Sequence, residues 1–127
     1  MVKWIAEEPQ SDLAYLYQTE VVVAPDLLRA ELTQALYKKV RKKELTVLDA
    51  LAGRAEAEEL ITFIPATHLS SRALELSLEL DHAAGDCFFL AIAESLAQPM
   101  ITADLRFVEV CRGTRYEHLV QALAAPQ

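Results

Sequence analysis

The chain has 127 residues, 53% of them hydrophobic and 24% charged, with a net charge of −7 and a pI near 4.9. That length suits a single domain spanning 1–127 with one continuous core, and the composition can offset chain entropy by burial, so a compact globule rather than disorder is expected. The acidic surplus argues against a passive nucleic-acid coat protein, which spreads lysine and arginine over one face.

No apolar run reaches the ~20 residues that a membrane helix needs, the longest being Cys87 to Ala93. The first twenty residues carry too many carboxylates for a secretory leader, so a cytoplasmic protein without membrane association is expected. Cys87 and Cys111 lie far apart and are expected to be reduced, buried packing residues. His68, His82 and His118 are scattered, with no His-x-x-x-His or Cys-His spacing, so any metal is expected to be held by oxygen ligands.

In chain order, Val2 to Glu7 is expected to be a helix ended by Pro9, and Ser11 or Asp12 to cap a second helix through Leu13, Leu16 and Tyr17. A β-branched run, Val21 to Ala24, predicts a strand that delivers Pro25 and Asp26. From Asp26 to about Lys43 the stripe Leu27, Leu28, Leu32, Ala35, Leu36 and Val40 predicts an amphipathic helix. Its end holds Lys38, Lys39, Arg41, Lys42 and Lys43, which either complement the helix dipole or supply local attraction for a polyanion.

Thr46 or Asp49 starts the next helix toward Leu60, Ile61 to Pro65 reads as a strand, and Thr67 or Ser70 caps a helix to about Leu80. Gly85 and Asp86 open a very apolar helix through Ser95, which Pro99 breaks. A third strand runs Met100 to Thr102, a helix follows over Leu105 to Val110, and Tyr116 to Leu123 reads as a short strand or helix. Strands alternating with helices predict an α/β fold with a mainly parallel sheet covered on both faces.

Three carboxylates stand out. Glu31 borders the apolar stripe of its helix, where a divalent cation would stabilise its ionised form, although a boundary glutamate reaching water is an equal alternative. Asp86 and Asp104 each precede a helix, so each is a candidate either for N-capping or for chemistry. In an open α/β sheet the strand carboxyl ends and neighbouring helix starts share one crevice. Several carboxylates there would repel one another unless Mg²⁺ or Mn²⁺ joined them, an arrangement suited to phosphodiester hydrolysis.

The segments Ala24-Pro25-Asp26-Leu27-Leu28-Arg29-Ala30-Glu31-Leu32, Leu80-Asp81-His82-Ala83-Ala84-Gly85-Asp86-Cys87-Phe88-Phe89-Leu90-Ala91-Ile92-Ala93-Glu94 and Met100-Ile101-Thr102-Ala103-Asp104-Leu105-Arg106-Phe107 resemble PIN-domain ribonucleases, most closely the bacterial VapC-type toxins. The resemblance covers essentially the whole chain. It implies that Glu31, Asp86 and Asp104 coordinate Mg²⁺ or Mn²⁺ and that Thr102 supports the site through its hydroxyl. It also implies RNA as substrate, a cognate antitoxin as partner, and a homodimer. Gln34 stands where many relatives carry asparagine.

Such proteins open with a central strand ending in aspartate, followed by a helix resembling Val2 to Pro9. The resemblance therefore implies that this first strand and a fourth metal-binding acid are missing, either because Met1 is an internal methionine or because the chain is a shortened variant. The gap is expected to be closed by sheet rearrangement, strand exchange or a partner segment. A catalytically impaired module that keeps the fold and binds an antitoxin is the alternative to an active nuclease. A signalling receiver domain fits less well, since no lysine closes the strand ending at Thr102.

Overall fold

The computed structural model describes residues 2–6 and 21–123. Among these residues, five parallel strands form one sheet in the order β3-β2-β1-β4-β5: β1 (Val2–Ala6), β2 (Val21–Pro25), β3 (Ile61–Ile64), β4 (Met100–Thr102) and β5 (Val120–Ala122). Parallel neighbours require crossover connections. Those between the strands hold α1 (Leu28–Arg41), α2 (Val47–Leu60), α3 (Ser70–Leu80), α4 (Ala84–Leu96) and α5 (Leu105–Cys111). None is long and apolar enough to cross a membrane.

The start of the chain differs from the sequence expectation. Val2–Ala6 of the segment expected to be helical forms a strand, and the central strand is not missing, because Val2–Ala6 occupies that position. Its register pairs Val2 with Val21 and Trp4 with Val23 on one side, and Ile5 with Ile101 and Ala6 with Thr102 on the other. The physical reason is competition. An isolated helix this short is marginal in water, whereas leaving the facing edges of β2 and β4 without a neighbour would cost ~1–3 kcal/mol for each buried backbone group left unbonded. No gap is left between β2 and β4 for rearrangement, strand exchange or a partner segment to close. The helix expected near Leu13 to Tyr17 lies outside the described residues, as do most of the positions on which the absence of a fourth acid was argued.

The later elements follow the sequence pattern closely. Leu28, Leu32 and Leu36 of α1 are buried, and the basic run falls on the last turn and cap of that helix. Thr46 caps α2 by accepting a hydrogen bond from the Asp49 amide at 3.1 Å. The tail resolves into both of its alternatives, a 3₁₀ turn over Glu117–Leu119 followed by β5. The apolar helix α4 packs against β1, β2 and β4, and Phe89, Leu90 and Ile92 on it are buried with Val22, Met100 and Phe107 in the core. Both cysteines are buried, and loss of hydration pushes the Cys87 thiol up to about 12 and the Cys111 thiol up to about 11. They remain neutral packing groups at physiological pH.

One polar network ties α3, α4 and the C-terminal segment together. Arg72 bonds Glu94 through two nitrogens, both at 2.7 Å, and reaches the Tyr116 hydroxyl at 3.2 Å. That hydroxyl donates to Glu79 at 2.9 Å. Glu94 is held below its usual carboxylate range by the Arg72 hydrogen bonds, against a smaller opposing effect of burial. Arg72→Ala should cost about 1–2 kcal/mol in urea unfolding at neutral pH, a value reduced from that of a fully buried charged pair because both side chains keep contact with water. A depressed carboxyl stabilises the fold above its unfolded pKa and loses that effect as protonation sets in. The gap between wild type and Glu94→Gln should therefore close as pH falls below about 4.

Candidate metal centre

The carboxyl ends of all five strands lie at one edge of the sheet, and the connections reverse direction between β1 and β4. That is where an open α/β sheet leaves a crevice for ligands. Asp104 follows β4 directly, Glu31 lies in the first turn of the helix that follows β2, and Asp86 lies in the first turn of α4.

Asp86 is not the cap of its helix. Ala83 occupies the cap position and makes no side-chain capping bond, while Asp86 sits inside the first turn with only 6% of its surface exposed. One oxygen, Oδ2, meets His82 Nε2 at 2.8 Å. The other, Oδ1, is buried and has no hydrogen-bond partner among the described residues. Buried carboxylate oxygens are ordinarily bonded, and one left bare costs several kcal/mol unless a cation compensates it.

Asp104 does cap its helix. Its Oδ1 accepts hydrogen bonds from the amides of Arg106 at 3.0 Å and Phe107 at 3.3 Å, so both capping bonds fall on a single oxygen. Thr102, 1% exposed, accepts the Asp104 amide on its hydroxyl at 2.9 Å and thereby fixes the backbone that carries the acid. Capping and ligation are compatible here, since a carboxylate has lone pairs enough for both.

Ligand atoms of His82, Asp86 and Asp104 all lie within 4.8 Å of one another. Two of these three residues were anticipated from the sequence. The structure adds His82, which had been set aside with the other histidines; the available signal was its spacing of four residues from Asp86 across a helix start. The structure brings Asp86 and Asp104 together; Glu31 lies exposed in the first turn of α1.

The carboxylates of Asp86 and Asp104 beside His82 form a cluster that fits a divalent cation, which would also satisfy the bare Asp86 Oδ1. A PIN domain family model matches residues 1–113. The chain belongs to the PIN domain family. No curated protein is matched by it. PIN domains are in general metal-dependent nucleases that act on RNA, and the cluster of His82, Asp86 and Asp104 agrees with that chemistry.

The double role of Asp104 makes its two obvious substitutions informative. Asp104→Ala should destabilise the fold by ~0.5–2 kcal/mol through loss of the cap, whereas Asp104→Asn, which still offers a capping oxygen, should stay close to wild type. Paired thermal unfolding scans in EDTA check this, and equal losses in both variants would show that the side chain does not act as a cap.

Proposed function

We propose that this PIN domain is a Mg²⁺- or Mn²⁺-dependent endoribonuclease that hydrolyses RNA phosphodiester bonds, and that it is the toxin component of a VapBC-type toxin–antitoxin pair in the cytoplasm. The observation that carries the reading is the bare, buried oxygen of Asp86 in a residue that clusters with Asp104 at the carboxyl edge of the sheet. Asp86 and Asp104 would hold the ion, with Glu31 contributing the third carboxylate from the neighbouring helix start. When bound, the ion supplies a Lewis acid and lowers the pKa of a coordinated water.

The protein's own groups prepare that chemistry. Rigid placement of Asp86 in the first turn of a buried helix fixes where positive charge is held. Thr102 keeps the Asp104 backbone in place through its hydroxyl, so the second carboxylate is held without a search among rotamers. Burial of Asp86 lowers the local dielectric, which strengthens its attraction for a cation relative to a surface carboxylate. Attraction of the RNA itself falls to local cations, for which the run Lys38 to Lys43 at the end of α1 is the densest source in an otherwise acidic chain.

An apolar groove of about 250 Å³ between α1 and α2, lined by Leu36, Tyr37, Val40, Val47 and Leu51, supports an antitoxin segment as partner. Leu74 and Leu78, one turn apart on α3 and 57% and 74% exposed, support a protein contact of the kind a homodimer makes. A second reading is a module that binds its partner with impaired catalysis.

One assay separates the two. Purified chain incubated with labelled RNA and Mn²⁺ should cleave it, EDTA should stop the reaction, and Asp86→Ala and Glu31→Ala should each reduce the rate by at least about 100-fold, the loss of a positioned electrostatic group. Cleavage that persists in Asp86→Ala would rule out this metal centre as the site, and folded wild type without activity would favour the binding module.

A further inference from the structure

We propose that His82 is a positioning residue that orients Asp86 for the cation through its Nε2–H, and that it is not itself a ligand. This rests on the metal-dependent reading given above. An ionised carboxylate only accepts hydrogen bonds, so the 2.8 Å contact to Asp86 Oδ2 puts the hydrogen on Nε2, and the ring nitrogen nearest the carboxylate then has no lone pair to give a metal. The same bond immobilises the carboxylate and leaves Oδ1 as its uncommitted oxygen.

The imidazole is itself held firmly. Asp81 takes the left-handed conformation at φ 53° and ends α3, which turns the chain so that the His82 amide bonds the Ser77 carbonyl at 3.1 Å. The Ser77 hydroxyl in turn donates to the His82 carbonyl. On its other side the ring packs against Phe107, with centroids 4.7 Å apart. Phe107 is the residue whose amide bonds Asp104 Oδ1. One histidine thus links both carboxylates of the centre, Asp86 by a hydrogen bond and Asp104 by packing on the residue that helps to hold it. Partners of this kind set the orientation of metal-binding carboxylates, and losing one weakens metal affinity by ~10–100-fold.

The test separates the N–H from the ring. His82→Phe keeps an aromatic ring against Phe107 and removes the donor, whereas His82→Gln gives up the ring and offers an amide N–H at similar reach. Mn²⁺ affinity of the full chain is measured by electron paramagnetic resonance, with unfolding temperature in EDTA recorded for each variant. His82→Phe should weaken Mn²⁺ binding by ~10–100-fold and His82→Gln should restore most of it. Equal affinity in wild type and His82→Phe would overturn the proposal, as would a His82→Gln variant as weak as His82→Phe. The wild-type spectrum decides independently of how the variants fold: no directly bound nitrogen is expected on Mn²⁺, and a coordinated imidazole would overturn the positioning role. Wild type that binds no Mn²⁺ would overturn the metal-dependent reading itself, which distinguishes that failure from failure of the role given to His82.

Discussion

A carboxylate removed from water, bonded through one oxygen and bare on the other, is the constraint around which the rest of this PIN domain is arranged. Asp86 cannot retreat to solvent, because the helix that carries it is buried along most of its length, with Cys87, Phe89, Leu90 and Ile92 in the core. A charge so placed is a liability for folding unless something compensates it. His82 compensates one oxygen. The second is bare among the described residues, so the same feature that weakens the empty fold would strengthen the binding of a cation there. Strain of this kind concentrates at functional sites and is offset by stability elsewhere. Here the Arg72–Glu94 network and the continuous apolar core are the evident sources of that offset.

The sheet supplies the other half of the geometry. Because every strand pair is parallel, all carboxyl ends fall on one edge, and residues distant in sequence meet there without long irregular loops. Asp104 arrives from β4 and is fixed twice over, by its capping bonds and by the Thr102 hydroxyl beneath its backbone. Asp86 arrives from the helix packed across β1, β2 and β4. Asp26 performs a quieter task at the same edge. Its side chain accepts the Ala66 amide at 3.0 Å and its own amide donates to Ile64 at 2.9 Å, which locks the end of β2 to the end of β3 just before α1 begins.

Much of this was legible from the sequence wherever a periodic pattern was long enough. The stripe of α1, the apolar run of α4 and the short β-branched segments located their elements within a few residues. Asp104 was correctly weighed as a cap, and the structure shows it to be one. Asp86 was weighed as a cap as well, but Ala83 takes the cap position and the aspartate enters the helix, an outcome that depends on where the preceding turn releases the chain. His82 was not read as part of the site because its contribution depends on a left-handed residue, Asp81, and on the ring of Phe107, neither of which leaves a spacing signature. Val2–Ala6 was misread for a related reason. Five residues carry too little periodicity to choose between helix and strand, and the choice was made by partners far along the chain.

That central strand has a mechanical consequence. Among the described residues, β2 and β3 form one panel of the sheet and β4 and β5 another, and the backbone ladder joining the panels runs through β1. On the β4 side this seam is short, with only Ile5–Ile101 and Ala6–Thr102 in register. Glu31 belongs to the first panel and Asp104 to the second. The strands that lead to the acids are therefore tied together through β1 and the buried helix laid across it, so a substitution that weakens the pairing of β1 with β4 should alter the spacing of the acids without touching any of them.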